Sequence, residues 1–332
     1  MKRKVYFPNI RTGIGGPTSF QKRIIKVFKN NDIKIMSRGE KIENGSVLVI
    51  SSTKHIFWLL KCKLKGLKIV QRLDGILWRH KIEEQTLLLK IRHYLINWLM
   101  FFIRNYLADS VIYQSNFIKN WWYNEYGKSP CSETVIFNGV DLNKFSIKEG
   151  LRAKKTMLCV EGTLQSDIVT LDLLLRVHDN LYKKKFIKET IICGRIENHI
   201  KKKLSLNKGI NYVGLVEQDE MHNIYKKSDF YLSLEINPPC PNSVIEALAS
   251  GLPVIGYDTG SLGEIIDPGG GMLLSYNGNP FNLENPDISM LDKELNKFIK
   301  NFNKYAYNSR KLAEEKFNIC DTAERYAEVL FT

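Results

Sequence analysis

Short apolar runs rich in β-branched and aromatic residues alternate along the chain with stretches of helical period. KVYF opens the series, followed by VLVISS, LKIVQRL, SVIYQS and ETVIF, and after residue 150 by TMLCVEG, ETIICG, INYVG and FYLSLE. Most of these runs are apolar nearly throughout, as expected of strands covered on both faces in a parallel sheet. Between them lie helical stretches such as TSFQKRIIKVF, HIFWLLKCKLK and SVIEALASG. This alternation predicts an α/β protein with two doubly wound parallel sheets. The polar stretch IKEGLRAKK separates the two series and predicts a domain boundary near residue 150. The expected domains are 1–148 and 149–310, with 311–332 as a terminal helical segment.

The densest local signals fall in 229–266, DFYLSLEINPPCPNSVIEALASGLPVIGYDTGSLGEII. A strand, a loop broken by Pro238, Pro239 and Pro241, a helix stopping at Gly251 and a further strand make one βαβ unit. Asn242 and Ser243 are suitable N-cap residues, and Glu246, three residues after Ser243, fits a capping box. Such a helix turns its N-terminus and positive dipole end toward the carboxyl edge of the sheet, which favours a phosphate.

Other strand ends carry candidate chemistry. Gly13, Gly15, Gly16 and Pro17 follow the first strand, with Thr18 or Ser19 as expected helix caps. This is either a phosphate-approaching loop or a plain tight turn; it is not a dinucleotide fingerprint, because the third glycine of that pattern falls on Thr18. Gly127-Lys128-Ser129 imitates a P-loop ending but lacks the earlier glycine, Trp122 standing there. Arg72 and Asp74 close LKIVQRLDG and read either as a surface ion pair or as site residues. Gly162, Gly194 and Gly214 each end a strand of the second half.

Residues 86–107, TLLLKIRHYLINWLMFFIRNYL, are strongly apolar, but the longest uncharged run is 94–103, well short of the roughly 20 residues that cross a bilayer. The pattern favours a buried core helix; the other reading is an interfacial helix with Trp98, Phe101, Phe102 and Tyr106 at the headgroups and Arg92 and Arg104 in phosphate.

Composition adjusts this picture in two ways. The six cysteines are dispersed without a CxxC and read as reduced small apolar residues of a cytoplasmic protein, and MKRKVYFPNI has no long apolar core of a signal peptide. Charge is uneven: residues 1–150 hold 26 Lys and Arg against 11 Asp and Glu, net +15 of the chain's +14. An acidic partner therefore belongs to the N-terminal half. No nucleic-acid-binding motif accompanies the charge, so an anionic membrane surface is favoured over nucleic acid.

CPNSVIEALASGLPVIGYDTGSLGEII resembles the donor-nucleotide motif of retaining glycosyltransferases of family 4, which have the GT-B fold of two Rossmann-like domains facing a central cleft. NGVDLNKF at 138–145 resembles that family's junction between the domains. The resemblance implies a hexosyltransferase, metal-independent since no Asp-x-Asp occurs, needing no cofactor beyond its UDP- or GDP-sugar donor. The acceptor would be a glycan or lipid-linked, in bacterial cell-surface polysaccharide synthesis, on the cytoplasmic side or peripheral on the inner membrane face. It assigns Glu246 to the nucleotide ribose, with Asn242, Ser243 and Val244 beside it, and Leu215 and Val216 to the base. Gly15, Gly16, Gly162 and Thr163 would approach the donor, and Asp74 with Arg72 would be catalytic. Pro238 stands where the family's first motif glutamate meets the sugar, with Glu235 on the preceding strand as a substitute. Residues 162–167 lack the family's diphosphate-binding Arg and Lys, for which Arg195 is the nearest replacement. The terminal segment resembles the family's last helices, which return to the first domain. A sugar-nucleotide epimerase of the same fold and a non-catalytic scaffold are the alternatives.

Overall fold

The computed structural model describes residues 3–13, 15–147, 150, 153–164 and 168–332, with the backbone alone at 163 and 168. Gln165, Ser166 and Asp167 lie outside the described residues, as does the side chain of Thr163. The first half forms β1 (Lys4–Phe7), α1 (Gly16–Asn30), β2 (Lys34–Ser37), β3 (Ser46–Ile50), α2 (Ile56–Leu64), β4 (Lys68–Leu73), α3 (Leu87–Phe102), β5 (Ser110–Tyr113), α4 (Asn116–Tyr126) and β6 (Ser132–Val135). The second forms β7 (Lys155–Thr163), α5 (Ile168–Lys183), β8 (Ile187–Arg195), α6 (Asn198–Ser205), β9 (Ile210–Gly214), α7 (Met221–Lys227), β10 (Phe230–Leu232), α8 (Asn242–Ala249), β11 (Val254–Tyr257), α9 (Leu262–Ile266), β12 (Gly271–Leu274) and α10 (Leu291–Lys316), before α11 (Ile319–Phe331) ends the chain.

Among the described residues these strands make two six-stranded sheets, ordered β2-β1-β3-β4-β5-β6 and β12-β11-β10-β7-β8-β9, and the pairings are parallel. Strand order reverses between β1 and β3 in one and between β7 and β10 in the other. Ligands of such sheets bind at the carboxyl edge of these switch points.

Two compact units result, Met1–Gly139 with Ile319–Thr332, and Val140–Asn318. Residues 140–147, expected in the first domain, go with the second because α10 holds them. Arg310 Nη1 donates to Leu142 O and Phe145 O at 3.2 and 2.6 Å, and Val140 N donates to Phe317 O at 2.8 Å. The last helix joins the first unit. Gly139 is there because any Cβ would lie 2.6 Å from Ile319 Cα at the start of α11.

The period-2 pleat sorts the first sheet's side chains. Val5, Phe7, Leu48 and Val70 turn to one face, under Phe20 and Ile24 of α1 and Tyr326 of α11; Tyr6, Val47, Val49 and Ile69 turn to the other, under Leu59 and Cys62 of α2. In the second unit Met157, Leu232 and Ile255 of the sheet share a core with Leu174 and Leu181 of α5 and Phe298 of α10. Among the described residues no helix is long and apolar enough to cross a membrane.

Three local expectations are corrected. Helix α1 is not capped by Thr18 or Ser19: Gly15, at φ 126°, is the N-cap, with Pro17 in the first turn, where its missing N–H and fixed φ suit a helix start. Strand β10 stops at Leu232, so Glu235 lies beyond the strand, exposed on the loop. Helix α3 is not a core helix, since only Asn97 and Met100 of its sixteen residues are buried. Arg104, just past it, is fully buried: it donates to Tyr113 Oη at 3.1 Å and to Gly127 O at 2.6 Å, so no headgroup phosphate reaches it. Gly127, φ 73°, is the C-cap of α4, which accounts for the glycine of the P-loop-like triplet.

Candidate active site

In the second unit the predicted donor residues gather at one sheet edge. Gly162 and Thr163 end β7, Arg195 ends β8, Leu215 and Val216 follow β9, and α8 starts after β10 beside β7. Gly194 allows the close approach of the two strands ahead of Arg195: its φ is 134°, and a Cβ there would lie 1.9 Å from Glu161 O. Leu164 N donates to Arg195 O at 2.8 Å, while the Arg195 side chain is exposed. Leu215 is exposed and Val216 half-buried.

Helix α8 differs from the expected capping box. Its N-cap is Pro241, with no side-chain cap, so Asn242 and Ser243 occupy the first turn and Glu246 the second. Asn242 and Ser243 are half-buried, and Val244 is fully buried, leaving its backbone as the part a ligand can meet. Gly251 ends the helix as expected, at φ 73°. Glu246 is 7% exposed. Its neighbour is Tyr225 of α7, whose hydroxyl donates to Ser243 O at 3.0 Å. Burial first, and then the Glu246 charge, keep that hydroxyl protonated well above its usual range. The Glu246 carboxylate thus lies buried in the second turn of α8, beside the Tyr225 hydroxyl.

The loop between β10 and α8 is shaped by close backbone packing. Asn237 is buried at φ 53°, its N–H donating to Thr259 Oγ1 at 3.2 Å, and Ser261 N donates to Pro238 O at 2.9 Å. Gly260 makes room: a Cβ on it would meet Pro238 Cδ at 2.5 Å. Pro238 is thus a buried loop anchor, and Glu235 is exposed away from the strand where it was expected to substitute.

In the first unit Arg72 ties three strand ends together. Its guanidinium, 1% exposed, pairs with Asp74 through Nη1 and donates through Nη2 to Gln114 Oε1 at 2.6 Å and to Asn138 Oδ1 at 2.8 Å. It lies over the Phe20 ring, 4.2 Å from the centroid. Gln114 Nε2 also donates to Asp74 Oδ1 at 3.1 Å, and Trp122 Nε1 to Asp74 O at 3.1 Å. Both side-chain bonds use Oδ1 of the half-buried carboxylate. Arg72 thus fixes the orientation of Asp74 and ties it to Gln114 and Asn138.

Gly15 and Gly16 close the loop after β1, and among the described residues a Cβ on Gly15 would meet nothing within 4 Å. The residues missed on sequence are Gln114, Asn138, Tyr225 and Arg11. Arg11 donates to Ile50 O at 2.7 Å, and Gln21 fixes its backbone by accepting from Arg11 N at 2.6 Å. Burial lowers the Arg11 pKa, Asp74 opposing and Arg72 adding to the shift, so these charges share one corner. Among the described residues no group of three or more His, Cys, Asp or Glu could hold a metal ion.

Comparison with known proteins places this geometry. No curated protein matches the chain in sequence. Among solved structures, sucrose-phosphate synthase from Thermosynechococcus elongatus superposes with TM-score 0.71 at 12% identity, covering 98% of both chains. The HepE protein of Anabaena in complex with UDP-glucose gives 0.68 at 15% identity over 98% of both, and WaaG, a glycosyltransferase involved in lipopolysaccharide biosynthesis, 0.66 at 11% over 99% of both. At such identities the likeness speaks for the fold, which is GT-B. The family model described as glycosyl transferases group 1 matches residues 143–312, over half of the chain and the whole edge from β7 to α10. The chain belongs to the glycosyl transferases group 1 family.

Proposed function

We propose that the protein is a retaining hexosyltransferase taking its sugar from a nucleoside diphosphate donor and placing it on a hydroxyl of a glycan or lipid-linked acceptor. The observation that carries this is the buried Glu246 carboxylate in α8, at the switch point of the second sheet and within the matched segment. Glu246 accepts from the ribose hydroxyls, Leu215 and Val216 offer backbone to the base, and the α8 N-terminus with Arg195 meets the diphosphate charge. That charge grows as the sugar–phosphate bond breaks, so these groups act on departure more than on binding. Asp74, aimed by Arg72, contacts the sugar or acceptor. The UDP-glucose bound by HepE and the lipopolysaccharide role of WaaG favour a UDP donor and cell-surface polysaccharide synthesis, at the cytoplasmic face of a bacterial membrane.

A second reading has an observation of its own. Pro238, packed on Gly260, occupies the place of the family's first glutamate, which favours a scaffold that binds donor without turning it over. A thermal-shift panel of UDP-, GDP-, ADP- and CMP-sugars identifies the donor, since a ligand at 100 times its Kd stabilises by about 2.7 kcal/mol. Release of nucleoside diphosphate on adding acceptor then supports transfer; donor binding with no release supports the scaffold.

A further inference from the structure

Helix α3 is built inside out. Its inward side carries the polar contacts: Asn97 Nδ2 donates to Leu77 O at 2.8 Å, Asn97 Oδ1 accepts from Leu77 N at 3.0 Å, and Gln71 Nε2 donates to Met100 O at 3.1 Å. Its outward side carries Leu88, Ile91, Leu95 and Trp98, spaced three, four and three residues apart on one stripe, with Leu88 81% and Trp98 54% exposed. The stack of Trp98 on Phe102, at 5.3 Å between centroids, extends the stripe. Helix α2 packs beside the turn at 103–107, where its Leu59 and Cys62 share a core with Ile103 and Leu107, and it adds Phe57 and Leu64, each 89% exposed. A water-facing helix ordinarily carries its apolar stripe on the other side. An exposed apolar stripe of this kind marks an interaction surface.

Charge selects the partner. Lys61 on α2 and Lys90 and Arg92 on α3 are accompanied by no Asp or Glu on either helix, in the half of the chain that carries net +15, while Lys63 of α2 pairs with Asp109 at 3.0 Å. A second copy would set two such positive surfaces against each other. Of the stripe only Trp98 is aromatic, and it is stacked on Phe102, so the aliphatic Leu88, Ile91 and Leu95 favour acyl chains over stacked bases. An anionic bilayer satisfies both features: acyl chains for the leucines, headgroup phosphates for Lys90 and Arg92, and the interfacial layer for Trp98 and Tyr94.

We propose that the outward face of α3, flanked by α2, docks the protein on anionic lipid. The face stands apart from the transfer reaction, and its test is independent of it. The full chain is sedimented with vesicles of phosphatidylcholine alone or with phosphatidylglycerol admixed, beside a Leu88→Glu/Leu95→Glu variant whose thermal melt is matched to the parent. The expected result is pelleting with the anionic vesicles only, weakened by salt, and reduced about ten-fold or more in the variant. Equal pelleting with neutral vesicles, none with either, or full binding by the variant would overturn it. So would a dimer seen by light scattering that the same two substitutions dissolve. Donor turnover on a water-soluble acceptor is expected unchanged in the variant, so failure to dock and failure to transfer are read separately.

Discussion

Arg72 and Asp74 face the same corner from one strand end, the buried guanidinium pairing with the half-buried carboxylate while also holding Gln114 at 2.6 Å and Asn138 at 2.8 Å. The two residues should therefore separate on mutation. Asp74→Asn keeps an oxygen toward Arg72 and removes the charge proposed to meet sugar or acceptor; turnover should fall about ten-fold or more with the melting temperature little changed. Arg72→Lys cannot span three partners and leaves buried acceptors unmet at about 1–3 kcal/mol each, so it should lower the melting temperature as well as the rate. Thermal melts beside initial rates check this, and a fully active Asp74→Asn enzyme would assign Asp74 to structure.

The contrast shows what the sequence exposes. Strand runs such as LKIVQRL and TMLCVEG were legible because burial on both faces leaves them apolar, and α8 because its proline-led start and Gly251 stop are local signals. The partners of Arg72 were not: Gln114 and Asn138 reach it only once β4, β5 and the chain after β6 lie side by side, a fact of sheet order rather than of spacing. Helix α3 misled for a related reason. An apolar stripe reports that a face avoids water, and in isolation it does not say whether the protein or another phase covers it. Glu246 was placed through its motif, yet its depth beside Tyr225 came from α7, a neighbour the local pattern does not name.

At the second sheet's edge, two glycines make opposite predictions. Gly194→Ala puts a Cβ 1.9 Å from Glu161 O at φ 134°, so β7 and β8 must part ahead of Arg195, and stability should drop by more than about 1 kcal/mol with donor affinity falling too. Among the described residues a Cβ at Gly162→Ala meets nothing within 4 Å, and stability should be left unchanged. Urea melts of the two variants compare them directly; equal stability would contradict the close approach.

Acid should destabilise the protein through its buried histidines. His178 is held neutral: Nε2 lies 3.1 Å from Lys208 O and so donates, while Nδ1 accepts from Thr190 Oγ1 at 2.7 Å. Burial lowers the pKa of His178 from its ordinary 6.5, and burial also lowers that of His80. Below pH 6.5 the unfolded chain takes up protons that the folded one refuses. The stabilisation is therefore complete above that value and lost as pH falls through the window below it. Thermal melts from about pH 7.5 to about pH 5.5 should show a plateau and then a decline, shallower in His80→Phe, which leaves a buried ring with nothing to titrate.

The sharpest test falls on Glu246. Its carboxylate has two candidate duties, accepting from a bound ribose and neighbouring the Tyr225 hydroxyl, and the two separate by a pair of variants. Tyr225→Phe removes the hydroxyl that donates to Ser243 O, relaxes the start of α8 and should cost about 1 kcal/mol of stability with little loss of donor affinity. Glu246→Ala removes the proposed ribose acceptor. One charge-assisted hydrogen bond is worth about 1.5 kcal/mol or more, so affinity for the nucleoside diphosphate should weaken about ten-fold at least. Because a buried carboxylate is itself unfavourable, its loss should lower the melting temperature far less than it lowers affinity. Calorimetry with UDP and GDP on both variants decides the matter: if Glu246→Ala keeps its affinity, or loses no more than Tyr225→Phe, Glu246 supports its helix alone.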